Sequence, residues 1–162
     1  MSMKENEKVA ELLRGFRFAM LVTRSSNGET RARPMVIANV EDSRIWFVTG
    51  KHSGTVEEIA KDARVTLTLQ SSSEFLSIVG RAEVRDDRAK LDELWNVAFQ
   101  VWFPKGKEDP DLALVSVTME EAEYWDNAGA NKVKYFYEAA KALLTGTRPE
   151  ANDKEQHGRV RM

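Results

Sequence analysis

Arg31, Arg33 and Met35 alternate along the stretch from Thr30 to Val40, so in an extended strand all three point to one face. A guanidinium placed there can hold a phosphate through two parallel hydrogen bonds. The same spacing equally describes an exposed strand with two solvated arginines. Pro34, between them, removes a ladder donor and marks a sheet edge or an irregular point. Further on, Thr49-Gly50-Lys51-His52-Ser53-Gly54-Thr55 runs from a strand pattern into a helix pattern. Hydroxyls and unpaired amides then stand where a helix dipole attracts anions. Thr55 followed by Glu58 also reads as a plain capping box, which accounts for these residues without any ligand. Trp46, Trp102 and Trp125 supply rings that could wall a planar heteroaromatic group, although such rings more often pack a core or an interface. The ligand class that would use all three features is an anion carrying a flat ring.

Other chemistries lack their residues. The 162 positions include no cysteine, which removes disulfides, thiolate metal sites, iron–sulfur clusters and cysteine nucleophiles. The two histidines, His52 and His157, are far apart in sequence and do not supply a histidine metal site. There is no Gly-x-Ser-x-Gly, no Walker loop and no Gly-x-Gly-x-x-Gly. The carboxylate pairs Glu57-Glu58 and Glu120-Glu121 read as solvated helix and turn positions. A formal charge of -2 and a pI of about 5.8 lack the basic footprint of a nucleic-acid binder. No apolar run approaches the roughly 18 residues of a membrane span, and the first residues are polar. The expectation is a cytoplasmic protein with no nucleic-acid or membrane partner.

The elements that must position these residues follow from periodicity. Val9, Leu12, Leu13 and Phe16 form one apolar helix face that ends near Gly15. Strand patterns run from Phe18 to Arg24, Thr30 to Val40 and Arg44 to Thr49, the first two joined through Asn27-Gly28, whose residues can take both positive-φ positions of a tight hairpin. A short helix starts near Ser53 to Thr55 with Val56, Ile59, Ala60 and Ala63 inward. Strands follow at Val65 to Gln70 and at Phe75 to Val84. Asp86 and Asp87 can cap a helix with an inner stripe of Leu91, Leu94, Trp95 and Ala98. After a turn-rich loop come a strand pair, Leu112 to Met119 and Ala122 to Asp126, and a last helix through Val133, Phe136, Tyr137, Ala140, Leu143 and Leu144. The pattern predicts a mainly β (α+β) fold, an antiparallel β-barrel with peripheral helices over residues 1–145, and a polar, flexible tail over 146–162.

The order Met20-Leu21-Val22-Thr23, Arg33-Pro34-Met35, Ile45-Trp46-Phe47-Val48-Thr49, Ser53, Val65-Thr66-Leu67, Gly80-Arg81-Ala82-Glu83-Val84, Trp102-Phe103-Pro104, Asp109-Pro110-Asp111-Leu112 and Ala122-Glu123-Tyr124-Trp125-Asp126 resembles the pyridoxamine 5'-phosphate oxidase-related flavin-binding split barrels, and within them the general stress protein 26 group. The likeness spans about residues 5 to 126. It implies a homodimer of split barrels with FMN, or FAD, in clefts between the subunits. By that resemblance Arg33 binds the phosphate, Met35 and Val36 line the flavin, and Val48 and Thr49 meet the ring. Ser53 and Thr55 complete the phosphate cradle, Gln70 approaches the ring edge and Trp125 reaches over from the partner subunit.

Two departures from that family bear on function. Thr55 stands where relatives commonly carry a lysine, and loss of that cation costs a charge-assisted phosphate bond of order one to three kcal/mol unless Lys51 or His52 replaces it. Asn127-Ala128-Gly129-Ala130-Asn131-Lys132 follows Trp125 where the oxidase proper has an arginine-rich run that holds the substrate phosphate. The expected activity is therefore a flavin-dependent oxidoreduction of an unidentified small substrate rather than pyridoxamine phosphate oxidation. The alternatives are a non-catalytic flavin carrier or regulatory module, and a related barrel for deazaflavin or haem. A flavin supplies its own chemistry, so the scarcity of histidine and cysteine is no obstacle.

Overall fold

The computed structural model describes residues 3–127, 140, 143–146 and 157–162. Helix α1, Met3–Arg14, presents Val9, Leu12 and Leu13 to the core and ends where the Gly15 amide donates to the Leu12 carbonyl. Strands β1, Phe18–Arg24, and β2, Thr30–Glu41, form the expected hairpin, with Thr23 opposite Arg31 and Leu21 opposite Arg33. Within this turn only Gly28 has a positive φ, 85°, and its amide donates to the Ser25 carbonyl. The turn is thus tightened by one left-handed glycine rather than by the Asn27-Gly28 pair.

Strand β3, Arg44–Gly50, leads into helix α2, Gly54–Lys61, and strands β4, Arg64–Gln70, and β5, Glu74–Arg85, follow. Helix α3, Arg88–Leu94, is capped by the Asp87 side chain, and a 3₁₀ segment, Val97–Val101, separates it from the loop before strand β6, Leu112–Asp126. The sheet order is β3-β2-β1-β4-β5-β6, closed by a β3–β6 pairing, which makes a six-stranded antiparallel barrel. Strand β7, His157–Arg161, adds to the free half of β6.

Inward residues from the strands and from α1 form the main core, including Leu21, Phe47, Leu67, Ile78, Val115 and Val117. β3 is buried on both faces, because Trp46 and Val48 on its outer side are covered by Leu91, Leu94 and Phe99. Trp46 also lies beneath two cations, Lys90 at 5.1 Å and Arg85 at 5.7 Å from the ring centroid.

The strand pair read at Leu112 to Met119 and Ala122 to Asp126 is one 15-residue strand. Gly80 pairs with Met119 and Val79 with Glu121, so Glu120 is the extra residue of a bulge and the chain crosses the acidic pair without turning. Residues 157–161, read as tail, form a strand whose Val160 is 1% exposed, because a single apolar residue among polar ones suffices when its partner strand is already in place. Of the last predicted helix, Ala140 and Leu143–Thr145 are helical; Val133, Phe136 and Tyr137 lie outside the described residues. Among the described residues no helix is long and apolar enough to cross a membrane.

Candidate functional site

Where the β1–β2 hairpin meets α2, four polar side chains converge. β2 aims Arg31 and Arg33 toward the barrel mouth, with the Arg33 side chain 22% and the Arg31 side chain 61% exposed. Glu58, on α2, accepts from Arg33 Nη2 at 3.0 Å, and its other oxygen stands 4.0 Å from Arg31 Nη1. The buried Thr23 hydroxyl donates to Glu58 and accepts from Arg33 Nη1. The Thr23 hydroxyl, followed by the Arg33 and Arg31 charges, holds the Glu58 carboxyl below its ordinary value although burial works against it. Glu58, a solvated helix position by its sequence, is 8% exposed, because the hairpin register sets Thr23 beside Arg31 and both face α2.

Helix α2 is capped by Ser53, whose hydroxyl accepts from the Val56 amide, so the capping box at Thr55 and Glu58 does not form. Thr49 Oγ1 lies 3.3 Å from Ser53 Oγ. Thr55, in the first turn, is buried. The two side chains that could replace a lysine at Thr55 face elsewhere: Lys51 Nζ meets Asp86 at 2.9 Å and His52 stands 3.6 Å from Asp111. The structure therefore brings Thr49 to Ser53 at the cap of α2, with Thr55 in its first turn, and brings Arg33, with Arg31 nearby, to Glu58 further along the same helix.

The remaining predicted residues lie in four other places. Met35 belongs to the main core and Val48 to the smaller cluster under α3. Val36 lines a cavity of about 300 Å³ with Ala38, Phe18, Trp95, Phe99 and Trp102 among its walls. Phe18 and Trp102 meet edge to face at 5.9 Å. Gln70 pairs with Phe75, and Phe75 with Trp125, which places these three on the outer side of the sheet. Trp46, Trp102 and Trp125 are not brought together: Trp46 is buried, Trp102 lines the cavity, and Trp125 is stacked on His157 at 5.0 Å.

Four surface residues outside the predicted set, Phe18, Met20, Phe75 and Val79, accompany the predicted Trp125 on the outer surface. Phe18, Met20, Phe75, Val79 and Trp125 are all exposed, from 37% to 45%. Strand alternation puts them on one outer face, as the period-2 pattern of β1 and β5 indicates once the barrel interior is known. His157 joins this face through β7; its Nε2 lies 2.8 Å from Glu123. The signal for Glu58 was weaker still, since only the tertiary approach of α2 to β1 buries it. Among the described residues no group of three or more histidines, aspartates or glutamates is placed to hold a metal ion.

A closed antiparallel barrel with an arginine pair at one mouth and an apolar outer face is the architecture of a split-barrel protein. The sequence matches the profile described as pyridoxamine 5'-phosphate oxidase like over residues 4–150, and the chain belongs to that family. Among solved structures it is similar to the general stress FMN/FAD binding protein of Xanthomonas citri, with 31% identity, 80% of this chain and 93% of that chain covered, and a TM-score of 0.67. It is also similar to a Clostridium acetobutylicum protein related to general stress protein 26, at 24% identity over 78% of this chain and 91% of that one, TM-score 0.69. A pyridoxamine 5'-phosphate oxidase-related, FMN binding protein of Nostoc punctiforme gives 14% identity over 100% and 97%, TM-score 0.60. The last two likenesses concern the fold alone. No curated protein matches the sequence.

Proposed function

We propose that this protein binds FMN, with FAD as the other candidate, in a cleft completed by a second copy of the chain, and that it is a flavin-dependent oxidoreductase of the general stress type. The observation that carries the reading is the Glu58 carboxylate held by Arg33 and Thr23 with Arg31 nearby. The carboxylate of Glu58 occupies this donor set, and donors that hold a carboxylate support a reading in which they hold a phosphate. In this reading Arg33 and Arg31 grip the terminal phosphate, and Ser53 and Thr49 offer hydroxyls beside it. Val36, on the opposite face of β2 from Arg33, lines the cavity proposed for the ring. The second copy covers Phe18, Met20, Phe75 and Val79, and brings its own Trp125 to the cleft. The names of the Xanthomonas citri and Nostoc punctiforme relatives support a flavin ligand.

Bound flavin would supply hydride and electron transfer, with the chain contributing orientation, shielding from water and hydrogen bonds. The residues after Trp125 contain no arginine up to Lys132, so oxidation of pyridoxamine phosphate is not proposed. The deciding experiment is a titration with FMN followed by flavin fluorescence. Micromolar or tighter binding is expected, weakened severalfold by Arg33→Gln. An affinity that Arg33→Gln leaves unchanged rejects the phosphate assignment. Reduction of the bound flavin by NADH or NADPH supports the oxidoreductase over a passive carrier; a flavin that neither donor reduces favours the carrier.

A further inference from the structure

Glu58 is an unusual neighbour for a phosphate-binding arginine. Its carboxylate takes the Arg33 Nη2 donor at 3.0 Å and the Thr23 hydroxyl, stands 4.0 Å from Arg31, and lies 3.7 Å from where a Cβ on Gly54 would be, over the first turn of its own helix. It thus occupies the position that an incoming phosphate would seek. Two guanidinium charges less one carboxylate leave the cradle with a net charge of about +1, and Thr55, Lys51 and His52 do not raise it: Thr55 is neutral and the other two face Asp86 and Asp111. A phosphomonoester bears close to two negative charges at neutral pH.

We infer that Glu58 sets the anion selectivity of this cradle: as a resident carboxylate on Arg33, it competes with the phosphate and keeps the phosphate's share of ligand affinity small. The inference rests on the flavin reading for the identity of the ligand, and on the Arg33–Thr23–Glu58 geometry for the competition. Its consequence is a site that recognises a flavin chiefly by its ring and its ribityl chain, and that tolerates an uncharged or monoanionic end group in place of a phosphate dianion.

The test compares riboflavin with FMN, whose affinity ratio isolates the phosphate. In the wild-type protein FMN is expected to bind less than tenfold more tightly than riboflavin. In Glu58→Gln, which keeps the shape and an acceptor for Arg33, the ratio is expected to rise about tenfold, and in Arg33→Gln to fall to about one. Glu58→Ala is expected to act in the same direction, and circular dichroism establishes that each variant is folded. A ratio that stays constant or drops in both folded Glu58 variants overturns the inference, because Glu58 would then only buttress Arg33. Inorganic phosphate, followed by thermal shift against chloride at matched ionic strength, reads the competition without a flavin. If neither flavin binds but phosphate stabilises Glu58→Gln more than the wild type, the flavin reading fails and the competition stands; if phosphate makes no such difference, both fail.

Discussion

Gly80 on β5 lies so close to the Thr118 carbonyl of β6 that a methyl group on its Cα would overlap that oxygen and reach 3.1 Å from the carbonyl carbon. The close approach falls at the bulge where the pairing of β5 with β6 shifts, so the backbones are held by hydrogen bonds on both sides and cannot separate cheaply. Gly80→Ala is expected to cost about 3 kcal/mol, as overpacking against backbone does. The midpoint of urea unfolding measures it; a shift equivalent to less than about 0.5 kcal/mol would show that the bulge yields.

The Glu58 carboxyl lies below its ordinary value of 4.5, chiefly through the Thr23 hydroxyl and then through Arg33 and Arg31. A depressed folded-state value means that its contribution to stability is present above about pH 4.5 and is lost as the pH falls through the lower, folded value. Wild type is therefore expected to be more stable than Glu58→Gln at pH 7, and the two are expected to converge between pH 4.5 and the acid transition. Urea midpoints at pH 7, 5, 4 and 3 give the comparison. A gap that persists unchanged at pH 3 would mean that packing, not charge, separates the variants.

Helix α1 is tied to the far end of β6 by Lys8, which donates to Asp126. Burial disfavours the charged lysine, yet the hydrogen bond and charge of Asp126 raise its value above 10.5. This contribution is complete at neutral pH and is lost only as the pH rises through the elevated folded value. Asp126→Asn is expected to destabilise by about 1 to 2 kcal/mol and to increase amide exchange in residues 5–14 at pH 7. Exchange there equal to that of the wild type would show that α1 is held by Val9, Leu12 and Leu13 alone.

Val160 is the buried residue of β7, and Gly158 lies against the Tyr124 ring. Val160→Ala removes two methyl groups from the core and is expected to cost about 2 kcal/mol. Thermal unfolding reports it. A melting temperature equal to the wild type would place the terminal strand outside the cooperative unit.

The apolar outer face gives the proposed dimer its own test. Met20 and Val79 both project from it, exposed by 38% and 45%. A charge there is solvated in a monomer and buried in an interface, so Val79→Glu is expected to leave the fold intact and convert a dimer to a monomer in sedimentation equilibrium at micromolar concentration. A wild-type protein that sediments as a monomer removes the second copy from the proposed site.

Local patterning determined most of the barrel. Alternation in Phe18–Arg24 and Arg64–Gln70, the Gly28 turn and the Asp87 cap are decisions of a few neighbouring residues, and the chain makes them as the periodicities require. The placement of Arg31 and Arg33 on one strand face was equally legible, since it depends only on the period of two. Three things were settled by tertiary contact. The continuity of β6 through Glu120 and Glu121 follows from a bulge opposite Gly80, which exists only when β5 is alongside. The ordering of β7 depends on an existing β6 edge and on room for Val160 in the core. The burial of Glu58 against Arg33 depends on how α2 lies over the first hairpin. Sequence by itself determined which faces are apolar and where the cations stand, because these are properties of spacing. Tertiary structure alone decided which carboxylate answers those cations, because charges distant along the chain meet only after the barrel has closed.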